Sequence, residues 1–181
     1  LNLFFYLLAV LLFPALHVVN EKLFFFAVFN SHISWIYLPA FSRLFNVLIF
    51  GALPGSAITF LGGLLLFPFV GEHSWLFVAN DACSALGPLI ALGFFRILND
   101  GPVSLRNLKH LTYLTLIYTL SNSLIHHLAW TFFDENLLVN GLQFFEMLVG
   151  DLVGTFVGVL LLKIITDLSF FKRRIYNNSP D

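Results

Sequence analysis

Apolar residues fall into six long blocks along this chain, at about residues 2–20, 34–50, 54–70, 75–97, 110–132 and 139–168. Crossing the ~30 Å hydrocarbon core of a bilayer takes about 20 apolar helical residues, so each block reads as a membrane span. Short polar stretches separate them: Asn20-Glu21-Lys22, the tight turn at 51–54, Gly71-Glu72-His73, the connection NDGPVSLRNLK at 99–109, and Asp134-Glu135-Asn136. Residues 23–29 are apolar but too few to span. They read as an interfacial or re-entrant piece, with a long continuous first helix as the competing reading. The expected fold is all-α: a polytopic transmembrane helix bundle of about six spans, one domain over residues 1–171, with a short cytoplasmic tail at 172–181.

The blocks are not uniformly apolar, and their polar residues recur at the helical period. In the second, Pro39, Arg43 and Asn46 share a face; in the third, Ser56, Thr59 and Gly63; in the fourth, Asp81, Ser84 and Pro88. The fifth has the most regular stripe, with Thr112, Thr115, Thr119, Asn122, Ser123, His126 and Trp130 on about 100° of arc. In the sixth, Asp151, Gly154, Thr155 and Gly158 face one way. Glycines at four-residue spacing admit a neighbouring backbone, so this face is expected to meet protein and not lipid.

Composition narrows the class. The chain of 181 residues is 59% hydrophobic and 10% charged, against about 25% charged in an ordinary soluble domain. A net charge of −1 provides no field to recruit nucleic acid. The single cysteine, Cys83, excludes an internal disulfide and argues against a thiolate metal cluster. No cofactor is expected. Basic residues concentrate at Arg96, Arg106 and Lys109 and at Lys163 and 172–174. By the positive-inside rule those segments are cytoplasmic, and with six spans both termini are cytoplasmic.

An ionisable group inside a membrane costs at least ~2.5 kcal/mol on insertion scales, and is a functional candidate by default. The candidate ligand-binding set is Arg43, Asn46, Asp81, Asn122, His126, His127, Glu146 and Asp151. Arg43 is expected to pair with Asp151 or Asp81, which match it in depth, and the set to line a cavity opening outward. The competing reading is a static ion pair that only fixes helix packing, with the Thr/Ser stripe satisfying backbone carbonyls. A metal on His126, Glu146 and Asp81 is a further alternative, and a histidine-based pH switch another.

At these residues a resemblance emerges. The run WIYLPAFSR at 35–43, the segment 55–66 with its Phe-Leu-Gly-Gly core, and MLVGDLVGT at 147–155 resemble the bacterial membrane-associated sensor domains, MASE type, first class. The resemblance covers about residues 30–168. One departure is Phe41, where that family has glycine after Pro-Ala. Members commonly carry a cytoplasmic output domain after the last span, and the expectation here is a sensing half standing alone.

The resemblance implies a multi-pass sensor in a bacterial inner membrane. It would bind a small-molecule or ion signal and work through a cytoplasmic signalling protein or self-association. The alternatives are a small proton-coupled transporter or substrate-capture subunit, and an intramembrane enzyme using His126 with Glu146. A non-enzyme is the expectation.

Overall fold

The computed structural model describes residues 3–28, 33–69, 75–99, 101–105, 107–133 and 141–177, with side chains described at all of these but 133, 163 and 165–177. Its regular elements are six α-helices: α1 (Leu3–Leu23), α2 (Pro39–Phe50), α3 (Ala52–Leu64), α4 (Trp75–Leu98), α5 (Leu108–Phe133) and α6 (Gly141–Asn177). A 3₁₀ turn at Phe25–Ala27 follows α1, so the long continuous first helix does not form. Among the described residues, three helical stretches are long and apolar enough to cross a membrane: Leu3–Leu23, Trp75–Leu98 and Gly141–Leu162.

Two expected spans are corrected. Residues 34–50 are not one helix, because α2 begins only at Pro39. Proline is favoured at a helix start, where its missing N–H costs nothing, and Leu38 before it already has helical backbone at φ −54° and ψ −35°. Residues 33–38 are instead held by other elements. Trp35 N–H donates to Ala27 O at 2.8 Å and Tyr37 N–H donates to Gly150 O on α6 at 3.1 Å. Asn20 Oδ1 accepts from Leu38 N–H at 2.8 Å. Residues 54–70 also fall short, since α3 ends at Leu64. Beyond it the bonds tighten to a three-residue reach, Leu66 N–H to Gly63 O and Phe67 N–H to Leu64 O. Pro68 has no N–H with which to resume an α-helix. At 1.5 Å per residue, α2 and α3 are only about 18 and 20 Å long.

The helices pack up and down. Tyr6 meets Phe50 and Phe13 meets Arg43, so α1 and α2 are antiparallel. Gly51 joins α2 to α3 at φ 92°, a conformation open to glycine and strained for other residues. Phe67 meets Phe77, linking the end of α3 to the start of α4. Asn80 meets Trp130 and Phe95 meets His110, which makes α4 and α5 antiparallel. Asn107 Oδ1 caps α5 by accepting from Lys109 N–H at 3.0 Å.

Helix α6 closes the bundle against α2. A Cβ at Gly150 or Gly154 would run into the backbone carbonyls of Ser34 or Tyr37, and one at Gly158 into the Phe41 ring. The glycine face of α6 is therefore what lets segment 34–41 lie directly on the helix. The interior mixes apolar clusters with many polar side chains, and large apolar side chains cover the exterior. On α5, Thr115, Thr119, Asn122, Ser123 and His126 are buried, while Leu116, Leu120, Leu124 and Leu128 are about half exposed. That arrangement inverts a water-soluble protein and suits a lipid surround.

Candidate functional site

Two apolar clusters leave a polar space between them. One joins Ala40, Leu44 and Val47 of α2 with Leu92 and Phe95 of α4 and Leu114 and Tyr118 of α5. The other, near the opposite end, joins Ile33, Leu76, Trp130 and Met147. A cavity of about 340 Å³ lies here, lined by Phe13 and His17 of α1, Tyr37 and Arg43, Gly63 of α3, Asn80 and Asp81 of α4, His126 and Trp130 of α5, and Asp151 of α6. These residues come from the C-terminal halves of α1, α3 and α5 and the N-terminal halves of α2, α4 and α6. The cavity thus occupies one end of the bundle. It reaches the surface at Glu21, whose side chain is 66% exposed.

Arg43 is 3% exposed. Its guanidinium carbon lies 4.9 Å from the centre of the Tyr37 ring and 5.4 Å from that of Phe13, a cation–π arrangement within an apolar wall. Arg43 Nη2 donates to Tyr37 OH at 3.2 Å, and Nε and Nη1 have no hydrogen-bond partner. The expected ion pair is not formed. Among the described residues, the one carboxylate with a basic nitrogen within 4.0 Å is Glu21, whose Oε1 is 3.3 Å from His17 Nε2. Tyr37, six residues back on non-helical chain, takes one hydrogen bond from Arg43, and Arg43, Asp81 and Asp151 all line the cavity.

Asp81 is 5% exposed, and neither carboxylate oxygen has a hydrogen-bond partner. Its carboxylate rests against Gly63, where a Cβ would collide with it. Asp151 is 2% exposed and accepts from Asn122 Nδ2 at 2.6 Å. His126 donates from Nδ1 to Asn122 O at 2.9 Å. In the neutral ring that leaves Nε2 to accept from Ser84 Oγ, 3.4 Å away.

Of the eight candidate residues, the cavity brings together Arg43, Asp81, His126 and Asp151. Asn122 stands behind them, holding Asp151. Asn46 sits outside the cavity wall and donates to Thr59 Oγ1 at 3.2 Å. His127 turns away to Trp130 and Phe144, with Nδ1 donating to Ser123 O at 2.9 Å. Glu146 is buried at 2% exposure but is not part of the cavity wall. The metal alternative is corrected too: among the described residues no three His, Cys, Asp or Glu side chains come together as ligands.

Several wall residues were not expected from sequence. His17 lies within an apolar block, Asn20 and Glu21 read only as its aqueous boundary, Tyr37 enters only through the run at 35–43, and Asn80 stands in no pattern. The four-residue spacing of His17 and Glu21 was the one available signal. Together they form a directed chain: Arg43 Nη2 donates to Tyr37 OH, which lies 3.5 Å from His17 Nδ1, and His17 Nε2 faces Glu21. Comparison with known proteins adds nothing to this geometry: no family model, curated protein or solved structure matches the chain.

Proposed function

We propose that the chain is a six-helix sensor module of a bacterial inner membrane, with both termini cytoplasmic and the cavity opening to the outside. A signal held in the cavity favours one packing of the helices, and α6 passes the shift to a cytoplasmic partner or a second copy. The observation that carries this reading is the cavity itself, walled by buried charges that do not satisfy one another. Such groups are costly in a membrane and are retained where a ligand or pathway needs them. Helix α6 supports the second half of the reading. It carries Asp151 at the cavity and continues as helix to Asn177, nine residues past the expected end of the sixth span at 168. That is roughly 13 Å of further helix. A ligand shifts such an equilibrium only through its different affinity for the two packings. The resemblance of residues 35–43 and 147–155 to the membrane-associated sensor domains agrees with this assignment.

The directed chain from Arg43 through Tyr37 and His17 to Glu21 favours a second reading, a small proton-coupled carrier. One experiment separates the two. The reconstituted chain is incubated with an isotope-labelled bacterial small-molecule extract, and retained and internalised label are both measured. A sensor retains a labelled solute, loses it on Arg43→Gln, and moves none into the vesicle lumen. Uptake that depends on Asp151 would establish the carrier instead. Retention of no labelled solute would end the pocket reading altogether.

A further inference from the structure

The cavity wall carries charge of both signs, and the two signs do not cancel by contact. Arg43 has uncommitted N–H groups on Nε and Nη1, and Asp81 has two uncommitted oxygens; both side chains are more than nine-tenths buried. No nitrogen of Arg43 lies within 4.0 Å of either cavity aspartate. Asp151, the second acid, is partly committed through its bond to Asn122.

Consider what such a wall can take. A monoanion would gain from Arg43 but meet Asp81 and Asp151 inside and Glu21 at the mouth. A monocation would gain from the carboxylates but meet a guanidinium locked between aromatic rings. Either would leave one buried charge unpaired, which is the expensive outcome in a low-dielectric site. A solute with a carboxylate at one end and an ammonium at the other satisfies both. It also enters without net charge. The remaining wall is mixed: Phe13, Phe77, Trp130 and Met147 give it an apolar and aromatic part, and His17, Asn20, Asn80, Ser84 and His126 a polar one. A volume of about 340 Å³ is at the small end of ligand pockets.

We propose that the cavity is a binding site for a small zwitterion of the amino-acid class, its carboxylate on the free N–H groups of Arg43 and its ammonium on Asp81. Asn122 holds Asp151 as the second acid near the ammonium. The apolar body lies against the aromatic wall. This inference rests on the cavity being a receptor pocket, and it names the chemistry that pocket selects.

The test uses the full chain in nanodiscs and equilibrium binding of each standard amino acid, glycine betaine and taurine. The best binder is then compared with its amine-free and carboxylate-free analogues; for leucine these are 4-methylpentanoate and 3-methylbutylamine. At least one zwitterion is expected to bind, with both analogues at least ~10-fold weaker, because each leaves a buried charge without a partner. Asp81→Asn should narrow the gap to the amine-free analogue, and Arg43→Gln the gap to the carboxylate-free one. The analogue comparison needs only the wild-type chain, so it decides the matter even if a variant fails to fold. Binding of no zwitterion, or equal binding of an analogue, overturns the proposal. Should the labelled-extract experiment meanwhile retain some other solute, the receptor pocket stands and only its zwitterion selectivity falls.

Discussion

Replacing Asp151 by leucine removes the acceptor at the meeting point of α5 and α6. The bond lost is Asn122 Nδ2 to Asp151 Oδ2, 2.6 Å long and fully inside the bundle. Its removal leaves the Asn122 amide as an unpaired buried donor, a penalty of about 1–3 kcal/mol. Interhelical hydrogen bonds measured in membranes average about 0.6 kcal/mol and reach about 1.7, because the unfolded helices also find partners. Loss of a carboxylate facing the same cavity as Arg43 adds to the cost, while relief of its desolvation subtracts from it. The expected net destabilisation is about 2 kcal/mol. Asp151→Asn keeps an acceptor of the same shape and should cost about 1 kcal/mol less. The assay is reversible unfolding in bicelles by steric trapping, run as a double-mutant cycle with Asn122→Ala. A coupling of about 1 kcal/mol is expected. An Asp151→Leu chain as stable as wild type, or strict additivity with Asn122→Ala, would refute the argument that this acid is held across the helix interface.

Other outcomes follow from the packing. Gly154→Ala puts a methyl into the Tyr37 carbonyl and should cost about 1–3 kcal/mol, whereas Gly93→Ala, with nothing within 4 Å, should be neutral or stabilise by up to about 1 kcal/mol; equal effects in the same unfolding assay would show that α6 does not lie directly on segment 34–41. Leu124 faces out and Ser123 faces in, so Leu124→Asp should cost about 2.5–3.5 kcal/mol of insertion while Ser123→Ala inserts normally; reversed behaviour in a membrane-fractionation assay would contradict the inside-out reading. Cys83 is buried against Ile125 O, and a maleimide should label it only after denaturation. In a Cys83→Ser background, Glu135→Cys and Ser169→Cys should react from opposite sides of the membrane; labelling from one side would break the six-span topology.

Most of the helices were legible because their period is local. The α5 stripe is the clearest case: Thr115, Asn122 and His126 repeat at helical spacing, and the buried face matches them. The glycines of α6 announced a close approach in the same way, though not what approaches. The true start of α2 was hidden. Residues 34–38 are mostly apolar and suit a helix, and what holds them out of one is the remote carbonyls of Ala27 and Gly150 and the side chain of Asn20. The failure of Arg43 to pair has the same origin. Depth along a span ranks acids as partners, but Tyr37 competes from a stretch outside the helical register. His17 is hidden in a mostly apolar helix, and Glu21, in the polar stretch 20–22, reads as a boundary and not as a partner for it. Such cross-chain contacts leave no trace in the order of residues.

The brevity of α2 has an electrical consequence. From Arg43, at the cavity wall, to the Gly51 turn at the far end there are only residues 44–50, about 10 Å of helix. With the bundle in a bilayer and water in the cavity, the membrane voltage falls mainly across this thin septum instead of the full ~30 Å. A unit charge carried across the whole drop changes energy by about 2.3 kcal/mol per 100 mV. If the chain spans a bilayer as proposed, the guanidinium would sit at the edge of that septum, where the field is steepest.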